Sequence, residues 1–377
     1  MKVLHLVDRW SQGGVPQVIK NICRQLKQHG HSYKIVTYRS APQNSVDIGG
    51  EQTKLHALDG SIKTVFYTSH KLQKIFRQYQ PDVIHDHYGG LWSGCYLFRK
   101  KWAERAIYHL HNEFRVISES PDAKRTLRTH FFLNYLVPRY HKIIAISRHV
   151  SQTLMEDAAV AEHDIDIVHN SIDTSHFLKE CSTEQNVTLD YDLSSYEMVI
   201  GTVGRFVYEK GFDTVVDVLH HLRSEGVNAA ALLVGSGDDA YEAEVKAQAK
   251  RLNISEHCRF TGYQANTVDF MQAMDYFLFC SRQEPFGITL LEAMACKVPV
   301  VASRQKYGGG PDEILEHNYN ALITAYEDSQ ALARGISTLY SSPEREKKII
   351  ENASKSLKSF SHEKMYQRLE KVYDKIC

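Results

Sequence analysis

Short apolar runs alternate with stretches of helical periodicity along the chain, and this alternation restricts the fold more than any other feature of the sequence. Clear apolar runs lie at residues 3–7, 83–86 and 106–110, and again at residues 198–203, 229–234 and 276–279. Strands that are joined by helices run parallel, and the helices then cover both faces of the sheet. The alternation therefore predicts an α/β protein with doubly wound parallel sheets.

The length of 377 residues exceeds what one hydrophobic core usually contains, so two domains are expected. The polar stretch 179–195 has no hydrophobic periodicity and separates two series of apolar runs. We therefore predict a first domain over residues 1–178, a linker over residues 179–195 and a second domain over residues 196–360.

The composition restricts the partners and the compartment. Lys+Arg and Asp+Glu both number 45, so no excess of positive charge favours a nucleic acid partner. The 7 cysteines are scattered without a CxxC pair, which is typical of reduced thiols in a cytoplasmic protein. No apolar run reaches the roughly 18 residues of a membrane-spanning helix. His5 and Asp8 interrupt the apolar N-terminus, which favours a first strand over a signal peptide.

The segment 281–292, SRQEPFGITLLE, combines a loop with the start of a helix. It follows the apolar run 276–279, and its Pro-Phe-Gly sequence marks a loop before the helical pattern. The backbone N–H groups of Phe286, Gly287 and Ile288 open the helix and have no partner within it. They would therefore face an anion, and a diphosphate is the obvious candidate.

Charged side chains surround this predicted anion site. Glu284 lies on the loop and Glu292 lies two turns into the helix. Carboxylates accept hydrogen bonds from hydroxyl groups, and a nucleotide sugar carries hydroxyls on both sides of its diphosphate. A second loop, GRFVYEKGFD at residues 204–213, places Arg205 and Lys210 between a strand and a helix. Two fixed cations there suit a diphosphate leaving group.

These segments resemble glycosyltransferase family 4. Glu284 and Glu292 resemble the E-x7-E motif of its retaining enzymes, and residues 204–213 resemble its G-R-x4-K-G segment. The resemblance covers nearly the whole chain and is strongest over residues 198–323. It implies the GT-B fold, in which two Rossmann-like, doubly wound domains face a central cleft. The second domain would hold the donor and the first the acceptor, with the closing helix 361–377 packed back on the first.

The resemblance also implies roles for individual residues. Arg205 and Lys210 would neutralise the departing diphosphate, Glu284 would hold sugar hydroxyls and Glu292 ribose hydroxyls. His111 follows an apolar run and resembles the family histidine that contacts the donor sugar. The candidate catalytic residues are Arg205, Lys210, Glu284 and His111, and the candidate donor-binding residues are Gly13, Gly14, Gly262, Tyr263, Phe286, Gly287, Ile288 and Glu292.

The implied activity is transfer of a sugar, with retention, from a nucleotide-diphosphate sugar (a UDP- or GDP-sugar) to a saccharide or lipid-linked saccharide acceptor. Its expected setting is the biosynthesis of bacterial surface polysaccharide such as lipopolysaccharide, capsule or exopolysaccharide. No residue stands out as a general base. For retaining enzymes of this type the resemblance implies a front-face attack, in which the leaving phosphate itself takes the acceptor proton. Two alternatives stay open: a GT-B nucleotide-sugar epimerase, and a non-catalytic nucleotide-sugar-binding protein.

Two histidine pairs end neighbouring apolar runs, His85 with His87 and His109 with His111. Residues i and i+2 share one face of a strand, so the four imidazoles could meet and bind a metal ion. Any strand end can carry such a pair, however, and the family needs no metal. We therefore expect no cofactor and assign the cluster no role.

Residues 124–140 mix basic side chains with bulky apolar ones. Such a stretch can lie on an anionic membrane surface, which would make this cytoplasmic protein peripheral on the inner face of the cell membrane. The alternative is a helix that packs on its own sheet with its basic residues in solvent. The loop 303–314 carries three glycines, Gly308 to Gly310, and is longer than the glycine-containing stretch that it resembles, so its role is left open.

Overall fold

The chain forms two compact units. The first comprises Met1–Ser171 together with His362–Cys377, and the second comprises Ile172–Ser361. The computed structural model describes residues 1–9, 14–39, 51–54, 62–87, 94–112, 129–158, 160–174, 177 and 187–377.

Each unit is built on one parallel sheet. The seven-stranded sheet of the first unit has the order β3-β2-β1-β4-β5-β6-β7, and the six-stranded sheet of the second has the order β10-β9-β8-β11-β12-β13. The strands are β1 Lys2–Arg9, β2 Ser32–Arg39, β3 Glu51–Lys54, β4 Val83–Asp86, β5 Ala106–Leu110, β6 Lys142–Ala145, β7 Ile165–Ile167, β8 Met198–Val203, β9 Ala229–Val234, β10 Cys258–Gly262, β11 Tyr276–Phe279, β12 Val300–Ser303 and β13 Leu322–Thr324.

Helices connect the strands and supply the buried faces that pack on the sheets. They are α1 Gly14–Gln28, α2 Ile62–Tyr79, α3 Lys100–Ala103, α4 Arg148–Asp157, α5 Val187–Asp190, α6 Phe212–Ser224, α7 Asp239–Arg251, α8 Val268–Gln272, α9 Ile288–Ala295, α10 Ser329–Tyr340, α11 Pro343–Ser356 and α12 His362–Tyr373. Ser147 caps α4, because its hydroxyl accepts a hydrogen bond from the backbone N–H of Val150 at 3.1 Å. Within the first unit, α12 packs on α1.

The central strands are buried on both faces. Every residue of β8 and β9 is buried, and the same holds for β4, β5 and β11. Parallel strands between two layers of helices require such continuous apolar runs, which is why these five strands have the bounds that the sequence predicts.

Two of the edge strands differ from what the sequence indicates. The sequence favours a loop after a strand over residues 259–263, but Cys258–Gly262 is itself the edge strand β10 of the second sheet. β3 is an edge strand of the first sheet, and residues 38–65 carry no clear strand pattern that would predict it. Both edges have a partner on one side only, so they need no continuous apolar run, and periodicity is a weak guide there.

The strand order reverses once in each sheet. β1 lies between β2 and β4, and β8 lies between β9 and β11. Connections leave these central strands in opposite directions, so a crevice opens at their carboxyl ends, where open α/β sheets bind ligands. Among the helices that the structure describes, none combines the length and hydrophobicity of a membrane span.

Candidate functional site

The reversal point in the second unit brings two candidate residues together. Lys210 lies on the loop after β8, and Glu284 lies on the loop after the neighbouring strand β11. The Lys210 ammonium group forms an ion pair with the Glu284 carboxylate. Only 22% of the Lys210 side chain and 12% of the Glu284 side chain are exposed, so solvent screens this pair less than a surface pair.

Arg205 lies on the same loop as Lys210 and is exposed. Within the part of the chain that the structure describes, its guanidinium group makes no hydrogen bond or ion pair. An unpaired guanidinium beside a lysine can bind a phosphate group without first breaking another interaction.

A second arginine, which the sequence analysis did not single out, holds the two loops together. The Arg282 guanidinium donates to both carboxylate oxygens of Asp213, at 2.9 and 2.7 Å. It also donates to the backbone oxygen of Tyr208 at 2.7 Å, lies 4.0 Å from the centre of the Tyr208 ring and pairs with Glu327. Its own backbone N–H donates to the backbone oxygen of Glu209 at 2.8 Å. We name the Asp213–Arg282–Glu327 set the arginine clamp.

Asp213 of the arginine clamp stays ionised, because its carboxylate accepts several hydrogen bonds. Burial alone opposes the ionisation of Asp213, but hydrogen bonds from Arg282 and Tyr241 lower the pKa of Asp213 below its ordinary value. Its sequence signal is that each of the two opposite charges follows a buried strand, with Asp213 in the first turn of α6 after β8 and Arg282 shortly after β11.

One glycine, Gly211, permits the close approach of the two loops, and a second, Gly287, sets the start of α9. Gly211 has a φ of +67°, and a Cβ there would lie 2.2 Å from the backbone oxygen of Cys280 at the end of β11. Gly287 has a φ of +102° and precedes the first residue of α9. That left-handed conformation explains why α9 begins at Ile288 and not at Phe286.

The start of α9 remains a predicted anion site, and the donors that it offers are backbone N–H groups. No side chain caps the helix at Gly287, so its first N–H groups point outward. The Phe286 ring is buried and lies 5.9 Å from the ring of Phe360, so it serves packing. The backbone N–H of Gly310 donates to the backbone oxygen of Glu284 at 3.1 Å, which ties the glycine-rich loop to this segment.

Glu292 lies on α9, partly buried, and its carboxylate makes no hydrogen bond or ion pair with the described residues. Burial raises the pKa of Glu292 to about 7. A carboxyl group that pays this desolvation cost without a protein partner is typical of a ligand-binding position.

Gly262 and Tyr263 lie at the end of β10. Gly262 has a φ of +66°, and a Cβ on it would meet open space. The Tyr263 side chain is 58% exposed. Nothing in their contacts assigns them to a ligand, so their role in donor binding stays a prediction.

In the first unit, His111 lies at the end of β5 and is 8% exposed. Burial lowers the pKa of His111 to about 3, so the imidazole is neutral near pH 7. Gly13 lies outside the described residues, and Gly14 is the exposed first residue of α1.

His111 belongs to a cluster of five buried histidines. His5 on β1 joins the four that the sequence analysis paired, and the cluster comprises His5, His85, His87, His109 and His111. The nitrogens of His5, His85 and His87, and those of His87, His109 and His111, lie within 4.8 Å of one another.

The orientation of these rings favours hydrogen bonds over metal ligation. Nitrogens that share a zinc ion are about 3.4 Å apart, because each Zn–N bond is about 2.05 Å and the angles are tetrahedral. Here the N···N distances are 2.9 Å for His5 and His87, and 3.0 Å for His87 and His111. The His85 and His87 rings stack at 4.0 Å and 26°, so their in-plane lone pairs lie in nearly parallel planes and do not converge on one point.

Two protein-family models match this chain. The model described as Glycosyltransferase Family 4 matches residues 12–176, and the model described as Glycosyl transferases group 1 matches residues 191–356.

Individual relatives match along nearly the whole chain. N-acetyl-alpha-D-glucosaminyl L-malate synthase of Bacillus anthracis is 25% identical over 96% of this chain and 94% of its own length. The lipopolysaccharide core biosynthesis glycosyltransferase LpsD of Rhizobium meliloti (strain 1021) is 23% identical over 97% of this chain and 95% of its own. The crystal structure of Anabaena Alr3699/HepE in complex with UDP-glucose superposes with a TM-score of 0.79 at 20% identity, and covers 99% of both chains.

The fold is therefore the GT-B fold, as the sequence analysis expected. Both halves of the chain match transferase models, and this protein belongs to glycosyltransferase family 4, with a glycosyl transferases group 1 domain in its second half.

Proposed function

We propose that this protein is a retaining glycosyltransferase that moves a sugar from a nucleotide-diphosphate sugar to a saccharide or lipid-linked saccharide. The observation that carries the proposal is the group of Lys210, Glu284 and Arg205 at the reversal point of the second sheet, beside the uncapped start of α9. Two cations and a helix N-terminus at one crevice form a site for a diphosphate.

The diphosphate would bind by exchange of partners. In the structure Lys210 is paired with Glu284. A bound diphosphate offers Lys210 a stronger anion, and Glu284 is then free to accept hydrogen bonds from sugar hydroxyls. Arg205 adds a second cation to the same phosphates, and the charge that develops on the leaving group is neutralised by fixed groups.

In the acceptor step the protein mainly holds the acceptor hydroxyl close to the anomeric carbon of the donor. In the proposed front-face attack, the acceptor hydroxyl attacks the anomeric carbon on the side that the leaving phosphate departs from, and the phosphate oxygen takes the hydroxyl proton. Bond formation and cleavage then occur on one face, which retains the anomeric configuration. Because Arg205, Lys210 and the start of α9 supply the positive charge, we expect turnover to need no divalent metal, and activity in excess EDTA tests this expectation.

The relatives suggest the substrate class and setting. One of them is named for lipopolysaccharide core biosynthesis, and another was crystallised in complex with UDP-glucose. We propose that this chain takes a UDP- or GDP-hexose and acts in the synthesis of bacterial surface polysaccharide, in the cytoplasm. Glu292 on α9 would hold the ribose hydroxyls and His111 the donor sugar.

A surface of the first unit fits a membrane-bound acceptor. Phe98 is 58% exposed and Tyr135 is 52% exposed, and the Arg139 guanidinium lies 5.0 Å from the centre of the Phe98 ring. Exposed aromatic rings beside cations suit the headgroup region of anionic lipid. Residues 124–128 of the predicted membrane stretch lie outside the described residues. Cosedimentation with anionic vesicles, compared with neutral ones, tests this surface through the variant Phe98→Ser.

The test of the proposed function is acceptor-dependent release of nucleoside diphosphate. A panel of nucleotide-diphosphate sugars is first screened for a rise in Tm, because a ligand that binds the folded state stabilises it. The stabilising donor is then incubated with candidate acceptors. Release only with acceptor supports the transferase, and a donor epimerised without acceptor supports the epimerase. Binding without either reaction, across an acceptor panel that turns over with a known transferase, supports a non-catalytic binder.

A further inference from the structure

The five buried histidines form two hydrogen-bonded rows. In the first row, His5 Nδ1 lies 2.9 Å from His87 Nε2, and His87 Nδ1 lies 3.0 Å from His111 Nε2. In the second row, the Tyr373 hydroxyl lies 2.7 Å from His85 Nδ1, and His85 Nε2 lies 3.0 Å from His109 Nδ1. The first row begins inside the protein and ends at a residue of the proposed site.

The position of the proton on His5, at the buried end of the first row, sets the direction in which hydrogen bonds are donated along the row. His5 Nε2 is buried and has no hydrogen-bond partner among the residues that the structure describes. A buried N–H without an acceptor is rarer than a buried acceptor without a donor, so Nε2 is the nitrogen without the proton. His5 therefore carries its proton on Nδ1 and donates it to His87 Nε2.

The proton positions on His87 and His111 follow from that of His5. A neutral imidazole has one N–H, and His87 accepts at Nε2, so its proton is on Nδ1 and it donates to His111 Nε2. His111 accepts there, which leaves its proton on Nδ1. Within the described part of the chain His111 Nδ1 makes no hydrogen bond, and His111 is 8% exposed, so this N–H is the group of the row that is left for a ligand.

The three imidazoles of the first row are neutral at physiological pH. Burial lowers the pKa of both His5 and His111 to about 3. Burial, with the neighbouring imidazoles, also lowers the pKa of His87 well below its ordinary value. Each ring therefore has one proton.

We propose that His5 and His87 hold His111 in the Nδ1–H form, so that His111 presents a fixed hydrogen-bond donor to an oxygen atom of the bound substrate, a sugar hydroxyl or a phosphate oxygen. This rests on the proposed function, in which His111 contacts the donor. His5 and His87 are positioning residues. A donor whose orientation is set before the substrate arrives costs no reorganisation when the bond forms.

The tautomer is measurable without any activity assay. In protein labelled with ¹⁵N-histidine, long-range ¹H–¹⁵N correlation separates protonated from unprotonated ring nitrogens. We expect Nδ1 of His111 to be protonated and Nε2 to be unprotonated, with the same pattern at His5 and His87. An Nε2-protonated His111 in the folded wild-type protein overturns the proposal.

Three variants test the cause. His87→Phe keeps an aromatic ring but removes both hydrogen bonds, and His111 should become a mixture of tautomers. His87→Gln can accept from His5 through its oxygen and donate to His111 through its nitrogen, so it should restore the Nδ1–H form. His109→Leu is the matched control, because His109 stacks on His111 at 4.1 Å but bonds only within the second row. It should leave the His111 tautomer unchanged, and a change there overturns the argument.

The kinetic readout separates this inference from the proposed function. Loss of one oriented hydrogen bond should lower kcat/KM about tenfold in His87→Phe, with recovery in His87→Gln. If His111→Ala keeps full activity while the Nδ1–H form is observed, the row stands and the role of His111 in the reaction falls. One equivalent of transition metal that copurifies with wild type and is lost in His87→Phe overturns the row.

Discussion

A substitution at Lys210 is the most direct test of the proposed chemistry. Lys210→Ala removes leaving-group stabilisation and little packing, so kcat should fall by about 10²- to 10³-fold while the melting temperature changes by only a few degrees. Steady-state kinetics beside a thermal melt measures both.

The matched control is Lys246→Ala, which removes another Lys–Glu pair, Lys246 with Glu242, on the exposed face of α7. It should leave kcat unchanged. A Lys210→Ala enzyme with near wild-type turnover would remove Lys210 from the mechanism.

The raised pKa of Glu292 predicts that the stability of the protein depends on pH. Burial raises the pKa of Glu292 to about 7 from an ordinary value of 4.5, so between these pH values the folded state binds more protons than the unfolded state. Stability contributed at this residue therefore falls as pH rises from 4.5 to 7. Glu292→Gln removes the ionisation, and should raise the free energy of unfolding at pH 8 by about 3 kcal/mol relative to its effect at pH 4.

Urea unfolding at the two pH values measures this difference, and the same variant should bind donor more weakly. Glu244→Gln on the exposed face of α7 is the control and should show neither effect. Equal stability changes at pH 4 and pH 8 for Glu292→Gln would contradict the raised pKa, and unchanged donor affinity would contradict its assignment to the ribose.

Candidate site residues have a local sequence signal where a charge lies beside a glycine in a strand-to-helix loop, as Arg205 and Lys210 do. Glu284 lies on a loop three residues before Gly287, and Glu292 on α9 has only its spacing from Glu284 as a signal. The roles of all four residues stay predictions. Arg282 was missed although it lies inside the same segment, because its partner Asp213 is 69 residues away along the chain. Pairing at that distance depends on which strands are neighbours, and local patterns do not carry that information.

At the scale of elements, the arginine clamp links the loop after β8 to the loop after β11. Arg282→Lys keeps the charge but loses the two-oxygen contact with Asp213 and the contact with Tyr208. We expect a weaker donor affinity, by about tenfold, and a lower Tm, because Lys210 and Glu284 depend on these loops for their spacing.

Donor titration by calorimetry and a thermal melt measure the two effects. Arg345→Lys is the control, since Arg345 bonds an exposed Asn318 outside these loops. A double-mutant cycle with Lys210→Ala separates positioning from general stability. Additive losses in donor affinity would mean that the clamp does not act through Lys210.

The elements themselves were predictable to the extent that they are buried on both sides. β4, β5, β8, β9 and β11 have the predicted bounds, since a strand covered on both faces is a continuous apolar run. β3, with the sequence EQTK, has no such run and was missed. Its place is set by its pairing with β2, which is a tertiary interaction.

At the scale of the whole molecule, the chain ends in the unit where it began. α12 follows the second unit in sequence but belongs to the first, where it contributes Met365, Tyr366, Leu369, Val372 and Tyr373 to the buried core. Tyr373 also bonds His85 at the end of β4. The first unit is therefore incomplete until the last residues of the chain are present.

Deletion of residues 362–377 should accordingly unfold the first unit and spare the second. Five buried side chains are lost, and each large one is worth about 2 kcal/mol or more, which together exceeds the margin of most domains. Hydrogen exchange should show lost protection in β1, β4 and β5 and retained protection in β8, β9 and β11. Gln367→Ala on the exposed face of α12 should change neither unit. If the truncated chain keeps protection in β1 and β4, the core of the first unit does not depend on α12. If β8 and β9 lose protection as well, the two units do not unfold independently.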